Sequence, residues 1–108
     1  MTTYLYDPSG HWIAFRTQPT DRYLYNKEAR WIGWFPWDDL DISSRDGKYL
    51  GTVVGDRLLR RTSGSYRGYP GYPGYPGYPG YPGYPGFAGY SQRPSGFIDV
   101  PPELLSAA

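Results

Sequence analysis

The chain has no cysteine, one histidine and one methionine in 108 residues. Disulfide staples, thiolate zinc sites and cysteine nucleophiles are therefore excluded, and a lone histidine cannot build an imidazole metal cage. Long apolar runs are missing as well. The first twenty residues carry Asp7, His11 and Arg16, so no secretory leader is read there and nothing later approaches a membrane span. The localisation expected is cytoplasmic, with export by a route lacking a cleavable signal left open. Charge of one sign is also lacking: 11 basic and 10 acidic side chains leave a net +1, too little to hold nucleic acid through its phosphates. What the chain has in quantity is glycine (15), proline (12) and tyrosine (13), which point to turns and an irregular segment beside one small domain.

The residues 5–15, Leu-Tyr-Asp-Pro-Ser-Gly-His-Trp-Ile-Ala-Phe, recur at 24–34 and more loosely at 42–52, with Leu5, Leu24 and Ile42 opening the copies at steps of 19 and 18 residues. Each copy predicts a β-hairpin. A short strand (Tyr4 to Tyr6 in the first) meets a turn, Asp7-Pro8-Ser9-Gly10, and returns through His11 to Phe15. Proline after aspartate presets φ for a type I turn, and Gly10 supplies the positive φ that closes it. Ser44-Arg45-Asp46-Gly47 repeats the device. Asn26-Lys27-Glu28-Ala29 sets alanine in the glycine position, which predicts a strained or differently built turn.

The returning strands share an aromatic, an aliphatic and a small residue: Trp12-Ile13-Ala14, Trp31-Ile32-Gly33 and Tyr49-Leu50-Gly51. Strict alternation puts the aromatic and the small residue on one face and the aliphatic on the other. A small residue beside a large ring predicts close backbone approach with the ring covering the gap; Gly10, Trp12, Trp31, Gly33, Gly47, Tyr49 and Gly51 are read as structural, their rings as core rather than as a ligand face. Three hairpins give six strands, and residues 55–61 offer one more. The expected fold is all-β, a small domain of repeated β-hairpins in a petal-like or barrel-like arrangement over residues 1–62. A domain of that size buries only roughly 60% of its chain surface and would gain from self-association.

These residues resemble the four-fold β-flower domain of bacterial proteins, whose petals look like "(L/I)Y-x-x-x-G-x-x-(V/I)-A-(Y/F)" followed by "L-G-W-F" and "D-x-D-G". The matching positions are Leu5-Tyr6, Gly10 and Ile13-Ala14-Phe15, then Ile32-Gly33-Trp34-Phe35, then Arg45-Asp46-Gly47 and Leu50-Gly51. The resemblance covers about the first 62 residues, implies a petal fold and a tail of short triplets, and brings no catalytic residues. Three petals are countable in the sequence; the fourth is either the strand at 56–61 or a partner chain's.

Polar clusters point to no reaction. Between the first two hairpins, residues 16–22 read as a polar connection around Pro19. Trp31, Trp34 and Trp37 fall at a helical interval, but Gly33 and Pro36 predict a strand ending at the proline. Asp38, Asp39 and Asp41 lack the glycine and terminal glutamate of the twelve-residue calcium loop, so they read as a solvated turn that caps the next hairpin. His11 reads as a half-exposed hairpin residue. Arg57, Arg60, Arg61 and Arg67 read as edge-strand protection against sheet aggregation. No nucleophile–base pair or phosphate loop is present, so no cofactor, metal or catalytic residue is assigned.

After a linker at 63–67, Gly-Tyr-Pro runs six times from Gly68, then Gly86-Phe87-Ala88 and Gly89-Tyr90-Ser91, so that glycine holds every third place to residue 91; the aromatic beat begins at Tyr66. Proline and glycine in each triplet exclude regular helix and sheet. The tail is expected to be polyproline II, reaching roughly 74 Å if straight, either as a flexible single chain or as a collagen-like triple helix. Residues 92–108 hold Phe97-Ile98-Asp99-Val100 and Pro101-Pro102-Glu103-Leu104-Leu105, a docking segment with a short helical turn opened by Pro102. The function expected is non-enzymatic and structural: a self-associating head whose tail presents Tyr69, Tyr72, Tyr75, Tyr78, Tyr81 and Tyr84 as repeated contacts. The homo-oligomer is a trimer if the tail is triple-helical. The alternative is an adaptor whose proline-rich tail is the ligand of another protein's domain.

Overall fold

A computed structural model describes residues 1–37, 39–63 and 67–106. Its strands are β1 (Thr3–Tyr6), β2 (Trp12–Arg16), β3 (Tyr23–Asn26), β4 (Trp31–Trp34), β5 (Asp41–Ser44), β6 (Tyr49–Val54), β7 (Arg57–Arg61) and β8 (Phe97–Asp99), followed by a 3-10 turn, Pro102–Leu105. Neighbours in sequence pair antiparallel throughout. β1 also meets β7 in parallel through Tyr6 and Arg57, which closes a seven-stranded barrel. The Tyr6 amide donates to the Asp56 carbonyl at 2.9 Å at this seam.

The three turns predicted from sequence share one hydrogen-bond plan. Asp7, Asn26 and Ser44 each accept on the backbone carbonyl from the residue three on (Gly10, Ala29, Gly47). Each also accepts on its side chain from the amide four on, at 2.9 Å for His11, 3.0 Å for Arg30 and 3.1 Å for Lys48. Gly10 and Gly47 take φ of +99° and +91°, and Ala29 adopts +63°. Alanine therefore holds the same left-handed position that glycine fills elsewhere, and carries strain that the surrounding turn must fix.

A bulge then corrects the simple alternation. In each hairpin the register slips by one residue: Leu5 opposes Ala14 but Tyr6 opposes Trp12, and the same slip occurs at Leu24/Tyr25 and Ile42/Ser43. The skipped residues are Ile13, Ile32 and Leu50. Because a bulge re-aims side chains, Ala14 joins the aliphatic cluster of Leu5, Leu24, Ile32, Ile42, Leu50 and Leu58, while Trp12 and Trp31 join a separate aromatic cluster with Phe15, Tyr25 and Ala29. The aromatic and the small residue thus do not share a packing layer as alternation predicts. They remain linked through the indole: Trp12 Nε1–H donates to the Ala14 carbonyl and Trp31 Nε1–H to the Gly33 carbonyl, both at 2.8 Å.

Close approach is the reason for the small residue. A Cβ on Gly33 would lie 2.5 Å from the Ser43 carbonyl oxygen, and one on Gly51 would lie 2.6 Å from that of Leu59. In both cases the neighbouring strand presses its backbone against the glycine.

The fourth hairpin is β7 with β8. Leu59 opposes Asp99 as Leu5 opposes Ala14, and Phe97-Ile98-Asp99 repeats the order aromatic, aliphatic, shorter residue. Its turn closes by Thr62 N–H to the Gly96 carbonyl at 2.9 Å, the counterpart of Asp7 N–H to His11. The first three turns hold three residues between those bonded positions, whereas the fourth holds the whole Gly-Tyr-Pro tract. The barrel body accordingly draws on both sides of the tract: Val100 enters the aliphatic core, Leu104 and Leu105 pack on it, and Asn26 Nδ2–H donates to the Leu105 carbonyl at 2.9 Å.

Candidate functional site

Tyr4 and Tyr23 precede the opening leucines of the first two hairpins and stand beside the tryptophans of the returning strands, Tyr4–Trp12 at 5.7 Å and Tyr23–Trp31 at 5.8 Å between ring centroids. Together these four rings form an aromatic face outside the barrel core. The tract of residues 68–91 lies across it. The molecule spans 35 × 34 × 25 Å, so the tract does not project as an arm but is drawn back as a strap over the hairpins.

Its path can be followed by contacts. Arg67 Nη1 pairs with Asp39 and Asp41 at 2.7 and 2.9 Å and stacks 4.2 Å over Trp37. Tyr69 then lies against Gly47, where a Cβ would come within 2.4 Å of its ring. Trp31 receives Tyr72 and Tyr75 at 5.6 and 5.9 Å, and Tyr23 OH donates to the Pro73 carbonyl at 3.1 Å. Nine residues further on the contacts repeat: Trp12 receives Tyr81 and Tyr84 at 5.9 and 6.1 Å, and Tyr4 OH donates to the Pro82 carbonyl at 3.0 Å. Phe87 meets His11 at 5.6 Å, and Gly89 crosses Gly10 so closely that a Cβ on Gly10 would lie 2.5 Å from its carbonyl oxygen. Ala88 N–H to the Gly10 carbonyl, Ser91 N–H to the Pro8 carbonyl, and Arg57 Nη1–H to the Gly89 carbonyl at 2.7 Å fasten the end.

No protein-family model, curated protein or solved structure matches the chain. The site is therefore read from its own geometry.

The glycine of every triplet has φ between +82° and +94°, whereas regular polyproline II keeps each residue near −75°. A Cβ on any of these glycines would meet nothing within 4 Å. Glycine is thus needed in the strap for its backbone angle and not for space, and the turn at each triplet lets the strap follow the curved barrel. Tyr72 and Tyr81, the rings entering each tryptophan site, are 56% and 58% exposed, and Tyr75 and Tyr84 are 68% and 71% exposed. One edge of each ring touches the head and the remainder faces outward. Tyr78, between the two sites, meets no head ring among the described residues.

The predicted structural residues divide as follows. Trp12 and Trp31 are buried at the strap contact, Gly10 and Gly47 lie directly under it, and Gly33 and Gly51 are buried away from it. Among the described residues Tyr49 meets no strap ring; its hydroxyl bonds Thr52 Oγ1 at 2.7 Å and accepts from the Arg61 amide at 3.1 Å. Tyr66, nine residues before Tyr75, lies outside the described residues. Sequence reasoning missed Tyr4 and Tyr23, although the Tyr-Leu pair heading two copies was a readable signal.

Two polar readings are corrected. The acidic turn is not simply solvated: Asp41 is buried, accepting from Arg61 at 2.7 Å, Arg67 at 2.9 Å and Thr52 Oγ1 at 2.8 Å. Burial alone would raise the pKa of Asp39, but hydrogen bonds from Arg67 and the Asp41 amide outweigh it and hold its carboxyl below the usual range. Asp38 lies outside the described residues. The arginines do not guard an edge, because β7 is paired on both sides; Arg57 clamps the strap, while Arg61 and Arg67 neutralise Asp41. His11 is largely exposed, 3.6 Å from Asp7. A recess of about 500 Å³ between His11, Trp12, Lys27, Glu28, Tyr81 and Tyr84 opens beside the strap. Among the described residues no group of three acidic, histidine or cysteine side chains could hold a metal, and no helix is long and apolar enough to cross a membrane.

Proposed function

We propose that this chain is a non-enzymatic structural or assembly protein of the β-flower type, in which a rigid head displays an aromatic strap for association with further copies. Four successive antiparallel hairpins, the first three with the same one-residue bulge, support the flower plan. The observation that carries the assembly reading is the row of rings at Tyr69, Tyr72, Tyr75, Tyr78, Tyr81, Tyr84, Phe87 and Tyr90, each more than half exposed on a backbone fastened at both ends. Exposed apolar groups in a contiguous row mark interaction surfaces, and fixing the backbone beforehand lowers the entropy lost on contact.

Light scattering over a concentration series tests this. Mass should rise with concentration in the wild type and less steeply in Tyr78→Ser/Tyr90→Ser, whose rings do not touch the tryptophans. A strictly monomeric wild type at millimolar concentration refutes it. The same outward rings and prolines suit a partner domain with an aromatic groove; capture of such a partner that depends on residues 70–85, without self-association, would favour the adaptor reading.

A further inference from the structure

We infer that the aromatic face of the head is a peptide-reading site for Gly-Tyr-Pro triplets, with two equivalent subsites, Trp31/Tyr23 and Trp12/Tyr4, that also accept the tract of a second copy of this chain. The inference rests on the self-association reading above and names the contact that would carry it.

Three observations lead there. The subsites are chemically alike: each offers one indole to two successive tyrosines and one tyrosine hydroxyl to the carbonyl of the proline between them. They are 19 residues apart in the head and nine apart in the strap, so three triplets bridge one hairpin step, and the register belongs to the repeat and not to any unique residue. The strap's six Gly-Tyr-Pro triplets are identical, yet among the described residues four of their tyrosines meet a tryptophan. A tract from another copy thus presents the same groups at the same spacing. Ring–ring contact and one hydrogen bond to a backbone carbonyl require nothing from the covalent link between strap and head. That link supplies only effective concentration.

The test vacates one subsite at a time in the full chain. In Tyr72→Ser/Tyr75→Ser both rings leave Trp31, the Tyr23 hydroxyl bond to the Pro73 carbonyl is what an incoming triplet has to displace, and Arg57, Arg67 and the Trp12 contacts still tether the strap on either side. A synthetic (Gly-Tyr-Pro)6 peptide should shift the Trp31 indole N–H resonance saturably and leave that of Trp12 in place, with affinity at least roughly tenfold above that of (Gly-Ser-Pro)6. Tyr81→Ser/Tyr84→Ser should reverse the pattern. If either variant loses its fold, the peptide should restore it. The inference is overturned if the peptide gives no saturable shift, if both peptides act alike, or if an unfolded variant is not rescued. The peptide experiment does not require the wild type to associate, so its failure and a monomeric wild type are separate results.

Discussion

Removing one triplet, Gly77-Tyr78-Pro79, changes the strap's spacing without changing its chemistry. The two tryptophan sites are nine residues apart along the strap, and the deletion leaves six. If Tyr72 and Tyr75 keep Trp31, the residues nine further on become Tyr84 and Phe87, and Gly89 moves off Gly10. The Arg57 bond to Gly89 and the two backbone bonds at Gly10 and Pro8 are then lost, at about 1 kcal/mol each. If instead both ends stay fastened, the strap is three residues too short to reach both sites, so either Trp12 loses Tyr81 and Tyr84 and Tyr4 loses the Pro82 carbonyl, or Trp31 and Tyr23 lose the equivalent contacts to Tyr72, Tyr75 and Pro73. Aromatic pairs contribute about 0.5–1.5 kcal/mol each, at the low end here because the rings are largely exposed, and the hydrogen bond adds about 1 kcal/mol. Either route costs about 2–3 kcal/mol. Urea unfolding followed by tryptophan fluorescence measures it, with Tyr78→Ser as the control expected within about 0.5 kcal/mol of wild type. A deletion variant as stable as that control would show that the strap is not held in register, and the site reading would fall with it.

Backbone angle in place of space predicts that Gly74→Ala, which meets no atom, still destabilises by about 1–2 kcal/mol through its positive φ, as read in the same unfolding assay. Asp41→Ala should cost about 2 kcal/mol by stranding Thr52 and Arg61, seen as a lower melting midpoint. Asp39's depressed carboxyl contributes stability above its unfolded pKa that is lost as pH falls through the lower folded one, so melts below about pH 4 should decline less in Asp39→Asn. Burial pushes the Tyr25 hydroxyl up to about 12 from 10.0; the folded state therefore holds its proton longer than the unfolded one, and stability present below pH 10 should fall between pH 10 and 12, with Tyr25→Phe flattening the decline in an alkaline unfolding series.

Much of the head was legible because its signals are local. Hairpin turns need particular residues at fixed offsets, so the sequence marks Asp7 to Gly10 and Ser44 to Gly47 as turns and Ala29 as the odd member, which its φ of +63° bears out. The bulges at Ile13, Ile32 and Leu50 were not legible, since a bulge depends on pairing with the opposite strand. The misreading of the arginines had the same source: whether β7 is an edge is decided by β1 and β8, the latter arriving from 36 residues beyond Arg61.

The amino-acid order by itself determined that two periods coexist here, one near nineteen that makes hairpins and one of three that forbids regular helix and sheet, because both follow from backbone preferences of residues close in the chain. Only the tertiary structure decided that they belong to one object. Closing the barrel brought Phe97-Ile98-Asp99 beside β7, which turned the tract into the loop of a fourth hairpin, and a loop anchored at both ends has to lie across the tyrosines and tryptophans it passes.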